Sequence, residues 1–195
     1  MKIWKNLVAA ALLGACAQAY ADPILSFDTH GGQAQLGSVQ DYAVNIADID
    51  DLYSYQFSIN YDARYLRAVG VSEGAFLSGF GNTYSGFDVI DNATGTISFI
   101  FNSLIGPGAG AFGSGTLANI RFEAIGLGSS SLSFTDVLFL DSAFEAADIA
   151  VTAIPAQLDI VGAASDVPEP ASYLLIGVGL MGAAALRRRS VNARA

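Results

Sequence analysis

Three aspartates at short spacing, Asp48, Asp50 and Asp51, are the first residues whose types could bind a ligand. Carboxylate oxygens are the ligands that calcium prefers in proteins, so this segment is a candidate calcium site. The spacing is not that of an EF-hand loop, and in the alternative interpretation the three side chains only hydrate a turn in front of a strand. Calcium is the single metal that the sequence suggests, and we expect no other cofactor.

The acidic residues also raise the alternative of glycoside hydrolysis, with Asp88 and Asp91 near a turn as further candidates. That reaction needs two carboxyl groups roughly 5–9.5 Å apart across a cleft. No other catalytic set is present, because His30 is the only histidine and the sequence contains neither Gly-x-Ser-x-Gly nor His-Glu-x-x-His. We therefore expect a protein that is not an enzyme, with hydrolysis as the alternative.

Aromatic residues give a second candidate binding site. Phe80, Tyr84 and Phe87 lie in a polar, glycine-rich segment, where exposed rings stack on sugars. The tyrosines at 42, 53, 55 and 61 instead fall on apolar faces and are expected in the core.

The charge of the central part of the chain narrows the choice of partner. Between residues 22 and 165, three arginines face sixteen acidic residues, for a formal charge of −13. Such a surface repels the phosphates of nucleic acid and suits cations or neutral ligands such as sugars. The only cysteine, Cys16, lies near the N-terminus, so the mature domain can form neither a disulfide nor a thiolate metal site.

The first 21 residues have the three parts of a signal peptide. Two lysines precede an apolar run, and Ala19-Tyr20-Ala21 predicts cleavage before Asp22. One alternative is open, because Leu13-Gly14-Ala15-Cys16 resembles a bacterial lipobox, which would make Cys16 a lipidated N-terminus.

The C-terminal end has the parts of a membrane-associated tag. Pro168-Glu169-Pro170 is followed by an uncharged apolar stretch over 170–186, then by Arg187, Arg188 and Arg189. The stretch predicts a transmembrane helix, and the arginines favour a cytoplasmic C-terminus. A generic tail anchor is the alternative. Residues 162–167 are the predicted linker, 168–190 the tag, and 191–195 a short tail.

This order of motif, apolar segment and basic cluster resembles the PEP-CTERM sorting signal. The resemblance implies a Gram-negative bacterium and recognition by an exosortase, with cleavage near Pro168-Glu169-Pro170. It implies that the protein passes through the export machinery and is transiently anchored in the inner membrane. Its expected destination is the outer surface or the exopolysaccharide matrix.

The central segment predicts strands rather than helices. From Tyr53 to Tyr61, apolar and polar residues alternate, as on a strand with one buried face. In the same way Ile97, Phe99 and Phe101 are expected on one apolar face. Further strands are expected at 24–29, 42–46, 66–71, 87–90, 118–124, 131–134, 137–140 and 149–161. Asp91–Gly95 predicts a hairpin turn, and the glycine-rich segment 102–116 a long mobile loop.

Strands with one apolar face must pair their sheets to bury it, so we predict one all-β domain over residues 22–161. A jelly-roll β-sandwich is the favoured topology, and an immunoglobulin-like sandwich is the alternative.

The central segment also resembles a cohesin domain. The resemblance is carried by Tyr55–Asp62, Val69–Gly74, Gly95–Phe101, Gly115–Phe122 and Leu132–Asp141. It implies a nine-stranded jelly roll related to carbohydrate-binding modules. Cohesins of cellulosomes bind dockerins, but this chain has a single such domain and a sorting tail, which argues against carrying dockerin recognition over.

Together these features predict an exported, non-catalytic protein of the cell surface or exopolysaccharide matrix. Its cohesin-like module is expected to bind carbohydrate or a surface protein. The alternatives are a matrix polysaccharide hydrolase and a purely structural biofilm or floc component.

Overall fold

The computed structural model describes residues 22–29, 31–86, 88–143 and 149–162. Within these ranges the chain forms twelve strands and one helix of four residues, Ala75–Ser78 (α1). The strands are β1 (Ile24–Asp28), β2 (Gln33–Gln35), β3 (Val39–Leu52), β4 (Ser54–Asn60), β5 (Leu66–Glu73), β6 (Thr83–Gly86), β7 (Val89–Asp91), β8 (Thr96–Leu104), β9 (Ala111–Ala124), β10 (Gly128–Leu140), β11 (Thr152–Ala153) and β12 (Ala156–Val161).

The strands form two sheets that pack face to face. Sheet 1 has the order β11-β1-β3-β9-β5, and sheet 2 has the order β2-β12-β10-β4-β8-β6, with β7 beside β8. Two pairings are parallel, β1 with β11 and β2 with β12, and each joins a strand near the start of the domain to one near its end. The predicted all-β jelly-roll sandwich is confirmed.

The core lies between the sheets and is built by alternation. On β4, Tyr55, Phe57 and Ile59 are buried, as the sequence pattern predicts. They belong to the same core cluster as Ile120 and Phe122 of β9, which are also buried. Tyr55 satisfies its hydroxyl by donating to the Leu117 carbonyl oxygen at 2.6 Å, and burial raises its pKa.

The aspartate-rich segment lies inside β3 rather than in front of a strand. The pairing of β3 with β9 has three register shifts, and at two of them, between Ile46 and Leu52, two residues of β3 stand opposite one residue of β9. Asp48 and Asp51 are the bulge residues with left-handed backbone, at φ 57° and 56°. The bulges keep Ile46, Ile49 and Leu52 buried at a spacing of three. The expectation of a turn here was wrong because aspartate tolerates this conformation within a strand.

The glycine-rich segment is also more ordered than expected. β9 begins at Ala111, so the connection from β8 is only residues 105–110. Gly113 lies in β9 opposite Ile49 with φ 103°, which a residue with a side chain rarely adopts. A side chain at Gly115 would collide with the Phe76 ring, at 2.7 Å from its Cδ2. These glycines serve strand bulging and close packing, and the prediction of a long loop over 102–116 was wrong.

Three other strand predictions change in detail. The expected strands 131–134 and 137–140 are one strand, β10, with a bulge between Thr135 and Leu138 that contains Asp136 at φ 50°. The expected strand 149–161 is two strands, because Pro155 separates β11 in sheet 1 from β12 in sheet 2. The hairpin turn at Asp91–Gly95 is confirmed, since Gly95 N donates to the Asp91 carbonyl at 3.0 Å.

Several sequence-based expectations fall outside the described residues. They are the signal peptide with Ala19 and Ala21, the lipobox at Cys16, His30, the sorting motif Pro168-Glu169-Pro170, the apolar stretch 170–186 and the cluster Arg187–Arg189. In the part of the chain that is described, no helix has the length and apolar character to cross a membrane.

Candidate functional site

The outer face of sheet 2 displays an aromatic residue in an unusual backbone conformation. Phe99 is the extra residue of a bulge on β8, where the register shifts between the pairs Phe57–Ile100 and Ile59–Ile97. Its φ is 60°, and its side chain is 54 % exposed. The sequence pattern placed Phe99 on the buried face with Ile97, and that prediction was wrong because the bulge turns the ring outward.

Other apolar side chains project from the same side of sheet 2 as Phe99. Val89 on β7 pairs with Ser98 and is exposed, and Tyr84 on β6 pairs with Ser103 and is also exposed. Phe101 is half-buried and stands between Gln56 and Gly86. Directly paired residues project from the same side of a sheet. We call this surface, formed by Gln56, Tyr84, Val89, Ser98, Phe99 and Phe101, the Phe99 face.

The central strand β4 supports β8, the strand that carries Phe99, through side-chain hydrogen bonds. β4 lies in the middle of sheet 2, and its outward Ser54 and Ser58 are buried between the neighbouring strands. Ser54 Oγ donates to the Asn102 carbonyl at 3.2 Å, and Phe99 N donates to Ser58 Oγ at 3.4 Å. The face therefore needs little ordering before a partner docks.

The candidate calcium ligands do not form a metal-binding group. Among the described residues, no three acidic, histidine or cysteine side chains lie close enough to hold an ion. Asp48 and Asp50 are exposed, whereas the Asp51 carboxylate accepts hydrogen bonds from Gly110 N at 2.6 Å and Ser142 Oγ at 2.8 Å. The hydrogen bonds from Ser142 and Gly110 lower the pKa of Asp51. Its carboxylate thus joins the loop before β9 to the segment after β10.

The two aspartates considered for hydrolysis, Asp88 and Asp91, have different surroundings in the structure. Asp91 Oδ1 accepts a hydrogen bond from Ala93 N at 2.8 Å and shapes the hairpin turn. Asp88 lines a pocket with Glu73 between β5 and β6, but the volume of that pocket is about 80 Å³. Ligand sites are typically about 300–1,000 Å³. This pocket is too small for a sugar chain between two carboxylates.

The expected aromatic sugar site is only partly assembled. Phe80 contacts Phe112 with ring centroids 5.1 Å apart and buried Phe76 at 5.6 Å, and both contacts are T-shaped. Phe112, which lies within the segment predicted as a loop, is in β9 and 66 % exposed. Rings at 70° to each other do not share one flat platform for a sugar. Tyr84 belongs to the Phe99 face, and Phe87 lies outside the described residues.

The three arginines of the domain are each paired with a carboxylate. Arg64 pairs with Asp62, Arg67 with Glu123, and Arg121 with Asp41. A side-chain hydrogen bond from Arg121 lowers the pKa of Asp41. These pairs leave the acidic excess of the domain uncompensated, so the surface as a whole is anionic.

Comparison with known protein families identifies both parts of the chain. Residues 26–163 match the model of the cohesin domain. The chain belongs to the cohesin domain family. Residues 166–189 match the PEP-CTERM protein-sorting motif. Both resemblances seen in the sequence are confirmed, and together they indicate an exported surface protein whose cohesin domain is a non-catalytic binding module.

Solved cohesin structures share the fold at low sequence identity. A non-cellulosomal cohesin from the archaeon Archaeoglobus fulgidus is 20 % identical, with a TM-score of 0.59 over 72 % of this chain and 92 % of that one. A type II cohesin domain from the cellulosome of Acetivibrio cellulolyticus is 17 % identical, with a TM-score of 0.58 over 71 % and 95 %. The cohesin of a type I cohesin–dockerin complex from Clostridium thermocellum is 14 % identical, with a TM-score of 0.58 over 72 % and 100 %. No curated protein matches the chain.

Proposed function

We propose that this protein is a surface-displayed cohesin module that binds a protein partner through the Phe99 face. The observation that carries the proposal is Phe99 itself, an aromatic residue held outward by a bulge with φ 60°. A non-glycine residue in this conformation costs about 1–2 kcal/mol. Such strained positions cluster at functional sites, and bulges often re-aim a side chain there.

The chemistry of the Phe99 face suits a protein partner. Exposed aromatic and aliphatic groups at the centre, with a polar surround, are typical of interfaces whose anchors bury in a pocket of the partner. Phe99, Val89 and Tyr84 supply the anchors, while Gln56 and Ser98 supply polar contacts. Because the domain is strongly acidic, a partner with basic residues around an apolar pocket fits best. A dockerin-like module is one such partner, since the similar cohesin from Clostridium thermocellum forms a complex with a dockerin.

The test is capture of a partner from the extracellular fraction of the source organism by the immobilised full chain. The variants are Phe99→Ser and Val69→Ser. Val69 is exposed to a similar degree, but it lies on β5 of the other sheet. We expect a saturable partner whose binding falls at least roughly tenfold in Phe99→Ser, the loss of about 1.4 kcal/mol or more. Equal capture by Phe99→Ser and the unchanged chain would contradict the proposal.

We also propose that an exosortase sorts the chain from the inner membrane to the surface or matrix of a Gram-negative cell. Support comes from the sorting-motif match at 166–189, and from Pro168-Glu169-Pro170 ahead of an apolar stretch and three arginines. Cell fractionation with and without the exosortase gene tests it. We expect the chain to accumulate in the inner membrane when the enzyme is absent. An unchanged surface fraction in those cells would refute sorting by this route.

A further inference from the structure

A polar groove lies at the end of the sandwich where β4 ends and β8 begins, and its lining includes no residue of the Phe99 face. Its volume is about 810 Å³, within the range of about 300–1,000 Å³ typical of ligand sites. Three segments line it: Asn60–Arg64 from the last residue of β4 onward, Asn92–Thr94 in the hairpin turn, and Ser129, Ser131 and Ser133 on β10. We call it the serine groove.

Internal hydrogen bonds fix two of its walls. Tyr61 Oη donates to Asn92 Oδ1 at 2.7 Å. The Asn92 amide also binds the backbone of Ala68 on β5, accepting from its N–H at 2.8 Å and donating to its carbonyl at 3.1 Å. Asp62 N donates to Ser130 Oγ at 2.9 Å, which ties the segment after β4 to β10. The groove is therefore preformed, and a ligand would not have to order these walls.

Other polar side chains in the groove can form more hydrogen bonds than they make within the domain. Ser131 is exposed and Ser133 is half-buried, and neither hydroxyl makes a hydrogen bond to another described residue. Each hydroxyl can donate one hydrogen bond and accept two. Asn60 uses only its Nδ2, in a long 3.4 Å contact with Thr135 Oγ1. Ser131, Ser133 and Asn60 thus offer uncharged hydrogen-bond donors and acceptors to a ligand in the groove.

One charged pair borders the groove and is internally neutral. Arg64 Nε donates to both oxygens of Asp62, at 2.9 and 3.1 Å, and its guanidinium lies over the Tyr65 ring at 5.1 Å from the centroid. The hydrogen bond from Arg64 lowers the pKa of Asp62 to about 2, so both groups stay charged at neutral pH. A carboxylate beside a guanidinium presents an acceptor next to a donor, which matches the adjacent hydroxyls of a sugar ring.

From this lining we infer that the serine groove binds a segment of an uncharged polysaccharide. Serine hydroxyls, the Asn60 amide and the Arg64–Asp62 pair favour a hydroxyl-rich ligand. The acidic domain disfavours an anionic glycan, since the arginine that lines the groove is already paired. This site is separate from the apolar centre of the Phe99 face, so it adds glycan binding to protein binding in one domain.

Affinity gel electrophoresis tests the inference with the exported full chain in an uncharged, sugar-free detergent. The probes are three neutral glycans, namely dextran, hydroxyethyl cellulose and galactomannan, with alginate as the anionic glycan. The variants are Ser133→Leu and Arg64→Gln in the groove. The matched control is Ser98→Leu, another half-buried serine on the same side of sheet 2, outside the groove lining.

We expect at least one neutral glycan to retard the chain, and alginate not to. Ser133→Leu should weaken that retardation roughly tenfold, Arg64→Gln should weaken it measurably, and Ser98→Leu and Phe99→Ser should leave it unchanged. Circular dichroism checks that each variant is folded. If Ser133→Leu does not fold, Arg64→Gln still tests the inference, because the Arg64 side chain is exposed and its substitution should not unfold the domain. Absence of retardation by every neutral glycan, equal retardation by alginate, or equal loss in Ser98→Leu would overturn the inference. Loss of glycan binding with partner capture intact would leave the proposed function standing.

Discussion

Asp51 provides the sharpest test of how the sandwich is held at the end where β3 terminates. Its Oδ1 accepts a hydrogen bond from Gly110 N, and its Oδ2 accepts from Ser142 N at 3.3 Å and from Ser142 Oγ. Gly110 precedes β9 of sheet 1, and Ser142 follows β10 of sheet 2. One carboxylate therefore connects the ends of strands from both sheets.

Replacing Asp51 by asparagine keeps the shape and removes the charge. Hydrogen bonds to a charged group each contribute about 1.5–3 kcal/mol, and less where solvent reaches the group, as it does at half-buried Asp51. The asparagine would retain the acceptor for Gly110 N but turn an amide donor toward Ser142 N. We expect Asp51→Asn to lower the free energy of unfolding by about 2 kcal/mol, or the melting temperature by roughly 6 °C.

The assay is thermal and urea unfolding followed by circular dichroism, because the only tryptophan, Trp4, lies in the predicted signal peptide. The control is Asp48→Asn at the neighbouring bulge. Asp48 has nearly the same φ, but its carboxylate accepts no hydrogen bond from the described residues. We expect Asp48→Asn to change stability by less than about 0.5 kcal/mol. Equal effects of the two substitutions would refute the role of the Asp51 carboxylate.

The pH dependence follows from the direction of the pKa shift. Ser142 and Gly110 lower the pKa of Asp51 in the folded state. The stabilisation is then fully present above the unfolded value, about 3.9, and is lost as the pH falls through the folded value. The difference in stability between the unchanged chain and Asp51→Asn should therefore shrink below about pH 4. A difference that stays constant down to about pH 2 would contradict this assignment.

Two further substitutions test the packing. Gly95→Ala should destabilise the domain by more than about 2 kcal/mol in urea unfolding. The added Cβ would lie 2.1 Å from the Tyr61 carbonyl oxygen, and the backbone φ of 76° is strained for any residue with a side chain. An unchanged midpoint of urea unfolding would refute this prediction. Asn102→Val should raise the free energy of unfolding by about 1 kcal/mol, because Asn102 is 1 % exposed and its side-chain amide has no hydrogen-bond partner of normal geometry. The amide interacts with the Tyr55 hydroxyl only enough to oppose slightly the increase in the pKa of Tyr55 that burial causes. A lower melting temperature for Asn102→Val would contradict that reasoning.

The sequence predicts those parts of the fold in which side chains simply alternate. Tyr55, Phe57 and Ile59 on β4 are buried as expected, and so are Ile120 and Phe122 on β9. Alternation is visible because each strand covers the core with one face. The family resemblances add the cohesin family and the sorting motif, which composition and periodicity do not specify.

The bulges are the part that periodicity does not reveal. A bulge adds one residue to a strand, so every later side chain points to the opposite face. Phe99, which was predicted in the core, is therefore exposed, and Ile100 is buried instead. A signal was nevertheless present on β3. Ile46, Ile49 and Leu52 recur every three residues, with Asp48 and Asp51 between them. Apolar spacing of three interrupted by aspartate, a residue that tolerates positive φ, is consistent with consecutive bulges in a strand.

The candidate sites depend on contacts between residues distant in sequence. The serine groove joins the segment after β4, the turn at 92–94 and β10, which are brought together only by the order of strands in sheet 2. Phe112 meets Phe80 because α1 packs beside the start of β9. The aspartate cluster, conversely, is close in sequence, but its carboxylates are not grouped for a metal ion within the described residues.

Photo-crosslinking from position 99 measures most directly whether the Phe99 face binds a partner. A photoreactive phenylalanine replaces Phe99 in one variant and Val69, on the other sheet, in a second variant, and whole cells are irradiated. Our account predicts one discrete crosslinked protein from position 99 and none from position 69. Identical crosslinking from both positions, or none from position 99 on cells that display the chain, would contradict it.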